Sequence, residues 1–205
     1  MNRLKWTVAV VFCLSIIACV GRQSAPTQFY MINPVPPTSG DQTRMMEPEI
    51  VLVSLDPVEI PQYLNRPQIV TNVDGVEYHL DEFNQWLEPL SDTLTRVIAE
   101  NLAEMLSDQP IDVISMERPV ETDFSITVQI LRLDGNPDKE MVLIARWTLF
   151  DQAENVLSLT ERFVSQEKMA DDSYESLVNA QKRSIESLSR KIAEAIRPIV
   201  KNHKP

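Results

Sequence analysis

The side chains best suited to chemistry are few in this chain, and their spacing excludes most of it. Its 205 residues include two histidines, His79 and His203, and two cysteines, Cys13 and Cys19. A zinc site needs three or four converging ligands, and neither histidine has another ligand type at a metal-binding spacing. The sequence therefore predicts no metal and no cofactor. It contains no G-x-S-x-G elbow, no H-E-x-x-H helix and no glycine-rich phosphate loop. In the body of the chain the glycines are Gly40, Gly75 and Gly135. Carboxylates are plentiful, but Glu82, Glu88, Glu100 and Glu104 read as the wet side of a helical region. No polar residue stands out as a catalytic group, so the expectation is a protein that is not an enzyme.

One thiol does sit in a reactive setting. Ile16-Ile17-Ala18-Cys19 places an aliphatic residue at minus three and a small one at minus one before the cysteine. This is similar to a bacterial lipobox, where the thiol takes a diacylglyceryl group and the chain is cut before it. The element that would position it is the leader. Arg3 and Lys5 precede a mostly apolar run of thirteen residues, Trp6 to Ala18. That run falls short of the ~20 residues a membrane-spanning helix needs and matches the pattern of a signal peptide at residues 1–18. The plainer alternatives are an ordinary signal peptide with a cysteine nearby, or a short membrane anchor. Cys13 would leave with the leader, so Cys19 has no disulfide partner in the mature chain. An unmodified lone thiol would be a liability in an oxidising compartment. Each buried acyl methylene contributes ~0.8 kcal/mol, so several chains on Cys19 would anchor the protein durably. Bacterial lipoproteins kept in the inner membrane commonly have aspartate after the cysteine; this chain has Val20, and its resemblance to bacterial lipoproteins thus implies the periplasmic face of the outer membrane.

Charge narrows the choice of partners. The chain has a formal charge of -11; without Arg3 and Lys5, 17 basic side chains face 30 acidic ones, a charge of -13. Nucleic-acid binding needs clustered Lys and Arg, so no nucleic acid is expected. Attachment to a membrane then falls to the acyl chains on Cys19. The mature chain of 187 residues suits one domain with a sizeable core.

The elements follow in order. Residues 19–27 read as the lipidated cysteine and a polar tether under about 30 Å long; residues 28–205 read as the domain. A first strand at 28–32 leads into a proline-rich loop to about residue 48. Residues 50–55, apolar at nearly every position, fit a strand buried on both faces. Residues 68–72 and 76–80 flank Asp74-Gly75, a hairpin signal. A helix over 89–106 starts at Pro89, with Leu90, Leu94, Val97, Ile98, Leu102 and Met105 on one stripe. A strand at 111–115 and a meander of 124–130, 141–150 and 156–164 come next. A last helix of about 25 residues starts at Asp172, with Asp172 and Glu175 as a capping-box-like pair. Its stripe is Val178, Ile185, Leu188, Ile192, Ile196 and Ile199, with Gln181 among them. Covering the sheet is the favoured use of this helix, and a coiled-coil seam the alternative. Together these elements predict a single α+β domain: a mostly antiparallel sheet of six to eight strands with two long helices packed against it.

A longer motif is more specific. Tyr63-Leu64-Asn65-Arg66-Pro67-Gln68-Ile69-Val70, followed after the hairpin by Trp86-Leu87-Glu88-Pro89-Leu90, resembles the PqiC/YmbA family, auxiliary lipoproteins of ABC-type and MCE-protein transport systems. The chain departs from it at Asn65, often aspartate in the family, and at Gln85, often arginine. The resemblance implies a non-enzymatic lipoprotein on the periplasmic face of the outer membrane. It would dock an MCE-domain inner-membrane protein and help move lipids between the membranes. A homo-oligomer is a further corollary. Two readings of the motif stay open. Pro67 and Pro89 fix backbone corners while Trp86 and Leu90 fill the core; or Tyr63, Leu64 and Arg66 form an exposed docking loop. The alternative function is a carrier whose pocket holds one lipid or other apolar ligand, with Met45, Met46, Met105, Met116 and Met141 as candidate lining.

Overall fold

The computed structural model describes residues 25–37, 50–115, 121–136, 140–152 and 154–202. The leader, Cys19, Met45, Met46, Met116 and His203 lie outside the described residues. In chain order the strands are β1 (Gln28–Tyr30), β2 (Val51–Leu55), β3 (Gln68–Asn72) and β4 (Tyr78–Trp86), followed by helix α1 (Leu90–Met105). Then come β5 (Ile111–Ser115), β6 (Phe124–Gly135), β7 (Glu140–Asp151), β8 (Val156–Lys168) and helix α2 (Tyr174–Asn202).

The architecture is α+β, but the expectation of a mostly antiparallel sheet is corrected. There are two mixed sheets. The larger has the order β5-β2-β6-β7-β8 and the smaller β1-β4-β3. β2 runs parallel to both its neighbours, Val53 beside Val113 on one side and beside Phe124 on the other. β1 is parallel to β4. The physical reason is that a parallel neighbour needs a long crossover. The chain between β2 and β5 holds β3, β4 and α1, so β5 returns beside β2 in the same direction. Turn signals mark hairpins alone, and those antiparallel pairs, β3–β4, β6–β7 and β7–β8, are present.

β2 is buried at four of its five positions, as a central strand must be. β6 and β7 alternate, with Ile126, Val128, Leu143, Ala145, Trp147 and Leu149 fully or nearly fully buried on one face. Both helices cover that face and pack on each other, so α2 is a sheet-covering helix. Leu90, Leu94, Val97, Ile98 and Leu102 of α1 are buried, with Met105 at the margin. Between the helices Asn101, 2% exposed, donates to Ser189 Oγ and accepts from the Val35 N–H at 2.8 Å. The N-terminal segment is thereby pinned over the helix pair.

Two local details differ from the sequence expectation. β4 does not stop near residue 80 but continues to Trp86, because its far end pairs with β1. α2 starts at Tyr174 with Ser173 before it, not at Asp172. Ser173 Oγ accepts from the Ser176 N–H at 3.1 Å, and Ser176 Oγ accepts from the N–H groups of Ala170 and Asp171. A serine three residues on does the work expected of Glu175. At the other end, α2 runs through Pro198 to Asn202.

Glycine is required at two turns. Gly75 has φ 93°, and its N–H reaches Asn72 Oδ1 at 2.5 Å. At Gly135, ending β6, a Cβ would stand 2.8 Å from Glu140 O and from Met141 Cα on the returning strand.

Candidate functional site

The motif occupies the joint between the two sheets. After β2 the chain keeps alongside β6: the Asp56 N–H donates to Ile126 O, Glu59 N–H to Val128 O, and Ile130 N–H to Glu59 O, at 2.9, 3.0 and 2.8 Å. This extends the parallel pairing past Pro57, which has no N–H to give. Val58, buried, donates its N–H to Thr95 Oγ1 of α1 at 2.8 Å. Pro61 to Pro67 then turn tightly, with Leu64 N–H to Pro61 O at 2.9 Å and Asn65 N–H to Gln62 O at 3.2 Å.

Tyr63 holds this turn to the large sheet. Its hydroxyl donates to Asp134 Oδ2 at 2.8 Å, and its ring lies 5.2 Å from that of Tyr78, tilted by 52°. Asp134 is fully buried, and its other oxygen takes Arg132 Nε at 2.9 Å. A buried carboxylate is tolerable only when so paired. Burial first, then the hydrogen bond and charge of Asp134, push the Tyr63 hydroxyl far above its ordinary value. Asp134 reaches this place because β6 is irregular between Ile130 and Arg132. The extra residue, Leu131, re-aims the end of the strand.

Of the expected docking residues, Leu64 is 3% exposed and belongs to the core. Its side chain is therefore not offered to a partner, whereas Gln62 and Asn65 beside it are exposed. Tyr63 and Arg66 are half-buried, and Arg66 Nε is buried without a hydrogen-bond partner among the described residues. Pro67 is exposed, and its carbonyl accepts the Trp86 N–H at 2.7 Å. Trp86 is buried beside Tyr30 of β1. Pro89 caps α1 with φ -52° and ψ 130°, its carbonyl accepting the Thr93 N–H, and Leu90 is buried. So the structure brings Tyr63, Leu64, Arg66, Pro67 and Trp86 to one junction, with Pro89 and Leu90 starting the helix beyond it.

Sequence reasoning missed Asp134, Arg132 and Thr95, which clamp this loop. The available signal was Ile130-Leu131, two adjacent apolar residues that break the alternation of β6 just before Arg132-Leu133-Asp134.

Beside the loop, on the sheet face away from the helices, lies a groove of about 550 Å³ lined by Asp56, Pro57, Glu59, Thr127, Gln129, Arg146 and Thr148 with Val128. Gln129 Nε2 donates to Glu59 Oε2 at 3.1 Å, and burial raises the Asp56 carboxyl above its usual range. Arg146 stands directly opposite Arg162 on β8. Such a lining suits a polar contact and gives an acyl chain little to bury against. His79 sits exposed in β4, and among the described residues no cluster of three or more His, Cys, Asp or Glu could hold a metal ion. Among the described residues, no helix is long and apolar enough to cross a membrane.

Comparison with known proteins places this arrangement. A solved structure of an uncharacterized protein has 22% identity and a TM-score of 0.68, covering 83% of this chain and 99% of that one. The crystal structure of a protein from Xanthomonas campestris has 9% identity and a TM-score of 0.63, covering 80% and 92%. Both share the fold. No curated protein matches. The family model of the ABC-type transport auxiliary lipoprotein component matches residues 30–193, from the last residue of β1 into α2, and with it the motif. The chain belongs to the family of ABC-type transport auxiliary lipoprotein components.

Proposed function

We infer that this protein is a docking lipoprotein of an intermembrane lipid transport system. Acyl chains on Cys19 hold it to the periplasmic face of the outer membrane, and the loop at residues 61–67 engages an MCE-domain protein of the inner membrane. The observation that carries this reading is the construction of that loop. Tyr63 and Leu64 fix it from below, Gln62 and Asn65 stand exposed at its surface, and Arg66 lies half-buried beside them. A rigid loop with exposed polar side chains at its tip is well suited to an interface, since little ordering entropy is lost on binding. Assembly of several copies would multiply such contacts.

The alternative, a lipid carrier, draws less support. Met141 is fully buried in the core and Met105 packs at its margin, which is ordinary core filling. Six of the eight residues that line the groove are polar or charged.

A photo-crosslinker at Asn65 or Arg66 in intact envelopes should capture a large MCE-domain partner. Recovery of peptidoglycan enzymes or β-barrel assembly proteins alone would overturn the docking assignment. Cys19→Ser should release the protein from membranes at high salt. A variant that stays membrane-bound and functional refutes the anchor.

A further inference from the structure

The large apolar side chains left in water are concentrated in one place. Of eleven among the described residues, seven belong to the small sheet and the segments that flank its strands. Single exposed apolar residues need no explanation, but a contiguous set does. Phe29 is 58% exposed, Leu87 58% and Phe83 42%. Phe29 lies in register with Gln85 of the parallel neighbour strand. Side chains alternate along a strand, so Leu87, two residues past Gln85, falls on the face of Phe29; Phe83 comes just before it, in the stretch where β4 leaves its regular register with β3 between Leu80 and Gln85. The Leu87 N–H donates to Tyr30 O at 2.9 Å, which keeps it aligned beside β1 just past the end of β4.

This patch stands where the chain enters the domain. Phe29 follows Cys19 by ten residues and Ala25 follows it by six, spans of at most about 35 and 21 Å when fully extended. β1 is therefore the first element after the tether and can lie no farther than those spans from a leaflet that contains acyl chains on Cys19. Glu82 and Glu88 flank the patch and are exposed, so attraction to anionic headgroups cannot seat it. Burial of apolar side chains at the boundary of headgroups and acyl chains can.

We propose that Phe29 and Leu87, with the exposed Phe83 near Leu87 in the chain, form a wedge that inserts into the interfacial zone of the leaflet anchoring Cys19 and fixes the orientation of the domain on the membrane. The inference rests on the anchoring of Cys19 proposed above. Three side chains bind a bilayer weakly when free. On a tether of ten residues they act at high local concentration, so a weak contact suffices. The wedge turns a swivelling attachment into a two-point one.

The test uses the lipidated mature chain in phosphatidylcholine vesicles, with an environment-sensitive fluorophore on Leu87→Cys. A second sample carries it on Thr160→Cys in β8; both positions are exposed. Both samples should float with the vesicles. The label at 87 should emit to the blue and be quenched by spin-labelled lipid about threefold more than the label at 160. Phe83→Cys should repeat the result of 87, guarding against a local artefact of one variant. Equal quenching at 87 and 160 in floated vesicles overturns the wedge and leaves the anchor intact. Failure to float overturns the anchor, and the wedge with it. If labelled Cys19→Ser protein in buffer shifts to the blue as its concentration rises, a second copy covers the patch, and the membrane assignment is overturned.

Discussion

Replacing Tyr63 with phenylalanine removes one oxygen at the point where the motif loop meets the large sheet. The ring contact with Tyr78 at 5.2 Å remains, and so does the packing of Leu64. What goes is a 2.8 Å hydrogen bond to a fully buried carboxylate. A hydrogen bond to a charged group contributes about 1.5–3 kcal/mol, and a buried acceptor left unmatched keeps its desolvation cost. Asp134 retains Arg132 on its other oxygen, which limits the loss. The space freed by one hydroxyl oxygen is too small to admit a bridging water without movement. We expect Tyr63→Phe to cost about 2 kcal/mol. For a domain of this size that lowers Tm by about 4–8 °C. Urea unfolding of the mature chain measures it. The pair Tyr63→Phe and Asp134→Asn in a double-mutant cycle should give a coupling of about 1–2 kcal/mol, because the two residues share the bond. A loss under about 0.5 kcal/mol, with no coupling, would refute the claim that this bond holds the loop.

Gly135→Ala should cost about 2–4 kcal/mol, since the new Cβ meets two backbone atoms at 2.8 Å. Gly75→Ala has open space and only its φ of 93° against it, so about 1 kcal/mol is expected; denaturant midpoints that reverse this order contradict the turn geometry. Gln181 is 1% exposed, its Oε1 has no partner and its Nε2 makes one long bond of 3.4 Å to Leu133 O. Gln181→Met should therefore be neutral or stabilising by up to about 1 kcal/mol, and thermal melting showing a clear loss would refute that. Burial first, then Asp81, push the Tyr174 hydroxyl up to about 12, and Tyr63 is raised as well. Both groups bind their proton more tightly in the folded state. Stability should hold below pH 10, the ordinary tyrosine value, and fall as pH rises from there towards 12. The slope is at most ~1.4 kcal/mol per pH unit per group, less for half-buried rings. A flat stability profile across that window, or one that Tyr63→Phe leaves unaltered, would count against the assignment.

The sequence showed elements more readily than it showed neighbours. The stripe from Leu90 to Leu102 and the alternation of Phe124, Ile126, Val128 and Ile130 are local patterns, and all those residues are buried. Asp74-Gly75 marked one chain reversal and the meander of 124–130, 141–150 and 156–164 two more, so the antiparallel pairs were legible. Parallel pairing has no local mark: Tyr30 lies beside Trp86 after a long excursion of chain, and the three residues of β1 give no hint of their partner. The junction was half legible for a related reason. Tyr63, Arg66, Pro67 and Trp86 could be picked out by type. Asp134, which receives Tyr63, comes into place only through the irregularity of β6 after Ile130. A one-residue shift moves a side chain to the other face, and period-two reasoning assigns the wrong face beyond it. Gln181 was visible in an apolar stripe, but its match to a strand carbonyl was not.

The motif makes mechanical sense as a joint. The large sheet and its two helices hold most of the buried residues. The small sheet carries the N-terminal strand and, with the segments that flank its strands, seven of the eleven exposed large apolar side chains among the described residues. Any pull on the N-terminal tether enters through β1, passes to β4 by parallel pairing, and reaches Pro67 through the Trp86 N–H. From there Tyr63 and Asp134 carry it to β6, and Pro89 carries it to α1. The residues that would present a docking surface and those that would receive the load of the tether are thus neighbours in one short network. A protein stretched between a membrane and a partner gains from that arrangement. The load bypasses most of the core and is borne by a few well-paired backbone and side-chain groups, which resist shear better than dispersed apolar contacts because their geometry is directional.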